Sequence, residues 1–318
     1  MNVIQVAIYK INEPLILVRL MGGLGNQMFQ YATAKALALK NKVPLKVDTT
    51  LLDDKSQPHE IVTHRNLDLD VFQLKLNFAS ADEIAFFNGK KQKTLPGKLV
   101  NKIHLMLNRK HLILEGERKF HPSVLALTPP KCLVGSWQSE KYFSMYEAEI
   151  RSDFRFKNSV LKESSGILEK ILGQESVCVN VRRGDYLTSP LYSKRLGCLS
   201  EDYFFRGMRL MKEKVSKPHF FVFADYDAWA KDTFGHLPNV TIVGAEHTGD
   251  RFSNYFQLMS LCKHFIVANS SFSWWGAWLS GNPGKIVIAP KPWFRMQEFE
   301  NADMLPDSWI KIPPDYLN

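Results

Sequence analysis

Short apolar runs alternate with helical repeats along most of this 318-residue chain. The pattern is clearest after residue 160, where apolar runs typical of buried strands follow segments with a helical period. Strands are predicted at 177–181, 218–225, 240–243, 264–268 and 285–289. Helices are predicted at 161–172, 201–215, 226–234, 253–262 and 272–280. Strands that alternate with helices predict an α/β fold whose parallel sheet is covered on both faces.

The same alternation opens the chain and is weaker in the middle. A strand, a helix and a second strand are predicted at 15–20, 27–40 and 43–48. Further on, the pattern predicts short helices near 80–88 and 98–107, strands at 111–115 and 131–134, and a helix that opens within 135–143 and ends near Ile150. Residues 151–166 are rich in charge and serine and read as a connector, so we predict two domains, 1–155 and 156–318.

Composition narrows the class of protein. Hydrophobic residues make up 45% and charged residues 23%, as in ordinary globular domains, and no segment approaches the ~20 apolar residues of a membrane span. The cysteines are far apart in sequence, at Cys132, Cys178, Cys198 and Cys262. They have neither metal-site nor disulfide spacing, which favours a reducing cytoplasm.

A net charge of +9 indicates anionic partners, namely nucleotide phosphates, nucleic acid or a negatively charged membrane face. Part of it lies in one stretch that contains Lys90, Lys91, Lys93, Lys98 and Lys102. The ordinary interpretation of such a stretch is a solvated loop and helix face, and the alternative is a contact with an anionic surface.

The strand at 177–181 runs directly into Arg182, Arg183, Gly184 and Asp185. Charged groups at the carboxyl end of a strand stand where open α/β sheets bind ligands. Two adjacent guanidiniums offer planar forks of N–H donors that match phosphate oxygens. The alternative is a solvated turn with an Arg–Asp pair.

Two other predicted strand ends carry polar groups, Asp225 in one and Ser270, Ser271 and Ser273 in the other. Asp225 can accept two hydrogen bonds from a guanine edge, and the serines enter a helix N-terminus that favours an anion. Three strand ends that converge on one crevice would form a nucleotide site. For Asp225 and the serines the alternative role is helix capping.

Gly22, Gly23 and Gly25 precede the first helix and resemble an anion-binding turn, with the Asn26 and Gln27 amides at its mouth. The spacing is neither a Walker A motif nor a dinucleotide fingerprint. A tight turn that requires glycine for backbone reasons explains the same pattern.

Two Asp-x-Asp sequences, Asp225-Tyr226-Asp227 and Asp68-Leu69-Asp70, match a metal-binding motif of sugar transferases equally well. The paired arginines favour the opposite, a site that neutralises a diphosphate without a metal ion. Trp274, Trp275 and Trp278 either stack on a sugar or pack a helix face into the core, and their spacing favours the core.

Five sequence blocks in order carry a family resemblance: MGGLGNQMFQYATAKALA, GSWQSEKYF, VNVRRGDY, LMSLCKHFIVANSSFSWWGAWLS and APKPWF. Together they resemble glycosyltransferase family 11, the α-1,2-fucosyltransferases, and in particular its soluble bacterial members. The resemblance covers about residues 15–295.

This resemblance implies a GT-B-like architecture of two Rossmann-type domains facing a cleft, with 1–155 on the acceptor side and 156–318 on the donor side. It implies GDP-fucose as donor, a galactose-terminated oligosaccharide or lipid-linked glycan as acceptor, inversion at the anomeric carbon and no essential metal or other cofactor. The expected location is the bacterial cytoplasm, with peripheral contact to an anionic membrane surface as a further possibility. No nucleic-acid motif accompanies the positive charge.

The resemblance also assigns residues. The catalytic set is Arg182, Arg183 and Asp185, where Asp185 is either the general base or the group that holds an arginine in place. The donor-binding set is Gly23, Gly25, Asn26, Gln27, Asp225, Ser270, Ser271 and Ser273, and we add Asn180 because it shares a strand face with Arg182.

The chain departs from the family pattern at three places near the expected donor site. Asn180 stands where the motif usually has histidine, Tyr226 follows Asp225 where a second Asp is common, and Tyr255 replaces an Asp. Asn180 has no titratable group, so we predict that it positions donor or acceptor. These departures keep two alternatives open, a non-catalytic GDP-sugar or glycan-binding protein and a transferase for another GDP-sugar.

Overall fold

The computed structural model describes residues 9, 11–56, 64–90, 92–117, 119–296 and 303–317. They form two compact units, the first comprising Met1–Asp70 and Leu74–Asp153 and the second Val71–Gln73 and Phe154–Asn318. The boundary expected at 155/156 lies two residues after this division, and the return of Val71–Gln73 to the second unit was not foreseen. No helix within the described residues is both long and apolar enough to cross a bilayer.

The first unit is built on a four-stranded parallel sheet in the order β2-β1-β4-β3. Its strands are β1 Ile16–Arg19, β2 Leu45–Asp48, β3 Leu112–Leu114 and β4 Lys131–Val134. Its helices are α1 Leu24–Asn41, α2 Thr50–Asp53, α3 Ala81–Asn88, α4 Leu95–Asn108 and α5 Glu147–Asp153. Leu15, Leu17 and Cys132 of the sheet pack with Phe87 of α3 in a buried cluster.

Two boundaries in this unit differ from those predicted. Helix α1 begins at Leu24 rather than at residue 27, so Gly25, Asn26 and Gln27 lie in its first turn. The helix expected to open within 135–143 begins only at Glu147 and ends at Asp153. No α-helix starts earlier because Trp137 has a φ of 54° and the Ser136 and Trp137 N–H groups donate to the Glu115 carboxylate. Only two short 3-10 turns, Glu140–Tyr142 and Ser144–Tyr146, follow before Glu147.

The second unit contains a six-stranded parallel sheet in the order β10-β9-β8-β5-β6-β7. Its strands are β5 Glu175–Val181, β6 Pro218–Ala224, β7 Val240–Val243, β8 His264–Ile266, β9 Val287–Pro290 and β10 Ile310–Ile312. Its helices are α6 Ser165–Gly173, α7 Gly184–Thr188, α8 Pro190–Arg195, α9 Glu201–Lys214, α10 Asp227–Phe234, α11 Ser253–Ser260 and α12 Ser271–Leu279. The five predicted strands are all present, whereas α7, α8 and β10 were not predicted. Two parallel sheets with flanking helices confirm the expected α/β class.

Strand β5 occupies the centre of this sheet, between β8 and β6. Val177, Val179 and Val181 pack into one core cluster, and Cys178 is equally buried although it alternates with them. The chain winds from β5 to β6 and β7 on one side, and β8 then pairs with β5 on the other. The carboxyl ends of β5 and β8 are therefore the switch point where doubly wound sheets bind ligands.

Candidate functional site

The three polar strand ends that the sequence singled out lie side by side. Their strands β8, β5 and β6 are neighbours in the sheet, and because the sheet is parallel all three carboxyl ends meet at one edge. Arg182 directly follows β5, Asp225 directly follows β6, and Ser270 and Ser271 follow β8 at the start of α12. The predicted convergence is present in the second unit.

Asp225 holds the turn after β5 in place. Its Oδ1 accepts the Arg183 N–H at 2.8 Å, and its Oδ2 accepts the Gly184 N–H at 3.1 Å. The same Oδ2 lies 3.1 Å from Nη1 of Arg182. The helix-cap alternative for Asp225 is wrong, because Tyr226 occupies the cap position of α10 and its side chain makes no capping hydrogen bond.

Arg182 lies between two carboxylates. Its Nη2 is 2.8 Å from Oδ1 of Asp185 and its Nη1 contacts Asp225, while its side chain keeps 31% exposure. Burial lowers the pKa of the guanidinium, Asp225 and Asp185 raise it, and the net direction is upward. The Arg–Asp pair of the alternative interpretation exists, but it is part-buried and belongs to a larger network that fixes the guanidinium.

Arg183 has different surroundings. Its guanidinium carbon lies 4.1 Å from the centre of the Trp229 ring, and its Nε is buried without a hydrogen-bond partner. Within the part of the chain that the structure describes, no carboxylate forms an ion pair with it. The group of Arg182, Arg183, Asp185 and Asp225 is neutral overall, and Arg183 is the arginine whose guanidinium makes no direct ion pair within it.

Tyr186 is a site residue that the sequence interpretation missed. It is buried in α7, its hydroxyl donates to the Asn269 carbonyl at 2.9 Å, and its ring centre lies 5.8 Å from the Arg182 guanidinium carbon. Burial raises the pKa of its hydroxyl, and the charge of Arg182 lowers it in part. Tyr186 thus ties the arginine turn to the entry of α12; its position directly after Asp185 was the only signal.

The serines before and within α12 have distinct roles. Ser273 is buried, and its hydroxyl donates to the carbonyls of Ala268 and Ser270 at 3.0 and 2.9 Å. Ser270 occupies the cap position without a side-chain capping bond, so the capping alternative is wrong for both. Ser271 is the first residue of the helix and is partly exposed.

Asn180 and Tyr255, two of the departures from the family pattern, both support the end of β6. The Asn180 amide donates to the Phe223 carbonyl at 3.3 Å, and the Tyr255 hydroxyl donates to the Ala224 carbonyl at 3.0 Å. Burial raises the pKa of Tyr255, which keeps its hydroxyl a donor. Together the two side chains bind the last main-chain carbonyls before Asp225.

The two Asp-x-Asp sequences do not present paired carboxylates to one ligand. Asp227 accepts the Ala245 N–H at 2.8 Å, away from the partners of Asp225. Asp68 belongs to the first unit, is buried and donates its N–H to Gln27. Among the described residues, no group of three or more His, Cys, Asp or Glu side chains has the arrangement of a metal site.

The tryptophans of α12 pack in the core, as their spacing favoured. Trp274 and Trp275 are fully buried and Trp278 nearly so. Trp274 stacks on Trp278 with ring centres 6.4 Å apart, and its Nε1 donates to the Met304 carbonyl.

The glycine-rich turn lies in the first unit. Gly22 has a φ of 75°, which explains its glycine, and Gly23 caps α1 with extended backbone. The Gln27 side chain is buried, donates to the Gly22 and Asn66 carbonyls and accepts the Asp68 N–H. Gln27 therefore braces this turn, as the tight-turn alternative requires.

The two residues before Gln27 also lie in the first turn of α1. Asn26 accepts a hydrogen bond from Gln138, and Gly25 is buried in α1.

Comparison with known proteins gives four findings. The sequence model of the family described as Glycosyl transferase family 11 matches residues 125–313 of this chain. An α-1,2-colitosyltransferase of Escherichia coli is 32% identical over 307 residues, which cover 94% of this chain and 99% of that protein. Galactoside α-(1,2)-fucosyltransferase 2 of Bos taurus is 24% identical over 94% of this chain and 79% of that protein. Among solved structures, NodZ α-1,6-fucosyltransferase co-crystallised with GDP aligns with a TM-score of 0.48, 14% identity and coverage of 84% of this chain and 92% of that chain.

Proposed function

The chain belongs to glycosyltransferase family 11, and from this premise we propose that it transfers L-fucose from GDP-fucose to the 2-hydroxyl of a galactoside, with inversion. The acceptor would be a galactose-terminated oligosaccharide, a lipid-linked glycan or a surface polysaccharide. The observation that carries the proposal is the turn after β5, where Asp225 fixes two consecutive arginines beside the entry of α12. The second unit would hold the donor and the first the acceptor.

The chemical demand in this reaction is the charge that develops on the diphosphate as it leaves the sugar. Groups fixed in advance around a developing charge contribute the largest catalytic term, because nothing has to reorganise as the charge forms. The Arg182–Asp185 and Arg182–Asp225 pairs supply that order here, and the first turn of α12 adds N–H groups.

The two arginines would have different roles in binding the diphosphate. The charge of Arg182 is offset by two carboxylates, so its role is to shape the turn and to donate through its remaining N–H groups. Arg183 makes no direct ion pair with Asp185 or Asp225 and lies over the Trp229 ring, so its fork would be the one that binds an anion.

Asp185 would act by positioning Arg182. Its contact with the guanidinium at 2.8 Å favours the holding role over that of a general base, because a base must reach the acceptor hydroxyl. The general base stays unassigned, and a loose oxocarbenium-like transition state needs little help from one.

We propose further that the reaction needs no metal ion. The support is that Asp225 and Asp227 bind separate main-chain segments and that arginines can neutralise the diphosphate. Activity is expected to persist in EDTA, with at most a modest gain on adding Mg²⁺. Complete loss in chelator, restored by Mg²⁺ or Mn²⁺, would show instead that the carboxylates bind metal.

A second candidate donor is GDP-colitose. It is favoured by the 32% identity, over nearly the full length of both chains, to a protein named as an α-1,2-colitosyltransferase. Colitose is fucose without its 3-hydroxyl, so the two donors differ by one polar group. A site that hydrogen-bonds that hydroxyl would reject colitose strongly, whereas an apolar site would discriminate weakly.

The test is a transfer screen of GDP-fucose, GDP-colitose and GDP-mannose against galactosides, with the product linkage read by NMR. Fucosyl transfer to the 2-hydroxyl is expected. Exclusive use of colitose would replace the donor assignment and keep the family chemistry. Tight binding of GDP by calorimetry, with neither transfer nor donor hydrolysis over the panel, would support the non-catalytic alternative.

A further inference from the structure

Helix α4, Leu95–Asn108, turns large apolar side chains toward solvent. The exposed fractions are 81% for Leu95, 60% for Leu99, 45% for Ile103, 70% for Met106 and 61% for Leu107. At about 100° of rotation per residue, these five fall in one sector of the helix about 120° wide, and the less exposed Leu105, at 36%, lies outside it on the side of Lys98. A surface helix of a globular domain normally turns its polar face outward, so this orientation is reversed.

The opposite face of α4 is the one that packs. His104 is buried on it, with Nε2 2.9 Å from the Phe86 carbonyl, and Asn108 donates to the His104 carbonyl. The apolar sector is therefore a second face of an already anchored helix.

Basic side chains border the apolar sector. Lys98, Lys102 and Arg109 are exposed and, by the same helical rotation, lie along one edge of it. The sequence has no acidic residue between Glu83 and Glu115, whereas that interval contains Lys90, Lys91, Lys93, Lys98, Lys102, Arg109 and Lys110. The surface thus combines exposed hydrophobic area with positive charge.

We propose that α4 is an interfacial helix that docks the first unit on an anionic lipid bilayer. An amphipathic helix of this type lies in the plane of the membrane, with its apolar sector ~5–10 Å into the boundary between headgroups and acyl chains. Long basic side chains bury their stems and place their charges among the headgroups. The basic edge of α4 matches that geometry.

The positive charge beside the apolar sector favours an anionic bilayer over two other binding partners, a second copy of the chain and a nucleic acid. A second copy of the chain would bring the same cations to the interface, and in a two-fold contact like charges would oppose one another. A nucleic acid would use the cations and leave the leucines exposed to water. An anionic bilayer satisfies the apolar and the charged features together.

The test measures binding of the full chain to vesicles by co-sedimentation at low salt. One set of vesicles contains phosphatidylcholine alone, and the other contains about one third phosphatidylglycerol. We expect strong binding only to the anionic set, and a loss of at least tenfold in affinity for Leu99→Gln/Met106→Gln and for Lys98→Gln/Lys102→Gln. Met145→Gln and Leu172→Gln remove exposed apolar side chains elsewhere and should bind like the parent.

Because the substituted side chains are exposed, the thermal midpoints should match that of the parent, which separates lost docking from lost folding. Absence of binding by the parent, or equal binding by all variants, would overturn the proposal. So would a parent dimer that the Leu99→Gln/Met106→Gln variant converts to a monomer in light scattering, because the apolar sector would then be a contact between copies. None of these outcomes depends on the sugar donor.

Discussion

Arg182 and Asp225 follow adjacent parallel strands at the same register and form an ion pair there, with Nη1 3.1 Å from Oδ2. Val181 and Ala224, the last residues of β5 and β6, are register partners. The residues that follow them, Arg182 and Asp225, are therefore also neighbours. The same carboxylate accepts the N–H groups of Arg183 and Gly184. The pairing of two strands therefore sets the shape of the arginine turn.

Gly184→Ala is expected to damage the site through Asp225. A Cβ on Gly184 would lie 2.9 Å from Oδ2 of Asp225, and that carboxylate is held by three contacts and cannot easily move. We expect kcat/KM to fall about tenfold or more, with a small change in thermal midpoint. Gly166→Ala is the control, because nothing lies within 4 Å of its added Cβ. Full activity in Gly184→Ala would mean that the turn tolerates displacement of Asp225.

Arg183→Ala should remove the guanidinium that makes no direct ion pair and lower kcat by roughly 10² or more, with weaker GDP binding in calorimetry. Arg182→Ala should cost at least as much, because it also leaves Asp185 and Asp225 without their cation. Arg182→Lys should rescue little, since a point charge cannot reproduce the fork between two carboxylates. Arg209→Ala, an exposed arginine on α9, serves as the control. Near-normal turnover in Arg182→Ala or Arg183→Ala would refute the assignment of that arginine.

Asn180→Ala should reduce kcat/KM by about tenfold, because it removes the hydrogen bond to the Phe223 carbonyl that steadies the end of β6. Asn180→His keeps a donor and should stay within about tenfold of the parent, a barrier change below ~1.4 kcal/mol. Tyr255→Phe removes the neighbouring bond to Ala224 and should resemble Asn180→Ala if both act on β6. A hundredfold gain in kcat/KM for Asn180→His would indicate that the parent has lost most of the activity of its family, and would favour the binding-protein alternative.

Acidification should destabilise the second unit through His264. Burial lowers the pKa of this histidine, Glu175 opposes the shift in part, and its Nδ1 accepts the Ile286 N–H. Since the unfolded chain takes up a proton near its ordinary pKa of about 6.5, the stabilisation is complete above that pH and is lost as the pH falls through it toward the lower folded pKa. The free energy of unfolding should therefore drop between pH 7.5 and 5.5.

One proton limits this slope to about 1.4 kcal/mol per pH unit. His264→Gln should flatten the dependence, measured by denaturant unfolding across that range, whereas His236→Gln at an exposed position should leave it unchanged. An identical slope in parent and His264→Gln would assign the acid sensitivity to other groups, such as His111 and His219, whose pKa values burial also lowers.

All five strands predicted after residue 160 are present. The central β5 and β6 are buried on both faces and therefore read as near-continuous apolar runs, whereas β7 is only half-buried. The packing of Trp274 and Trp278 was likewise visible in their helical spacing. The short α7 escaped detection because five residues are too few for a period.

Polar side chains were harder to interpret. Gln27 and Ser273 were expected to bind the donor, because in the sequence each lies near the start of a predicted helix. In the structure both side chains form their hydrogen bonds with main-chain groups of their own unit. A sequence shows that an amide or hydroxyl is present, but the position of the nearest carbonyl decides whether it is free for a ligand.

The sequence by itself determined the α/β class, the family and the presence of two arginines at a strand end, since periodicity and motif are local properties of the chain. Only the tertiary structure decided what those arginines contact. Asp225 is 42 residues from Arg183, and the two meet because β6 pairs with β5 in one register; a shift of a single residue would turn the Asp225 side chain to the other face of the sheet. The ion pair of Arg182 with Asp225 follows from that register.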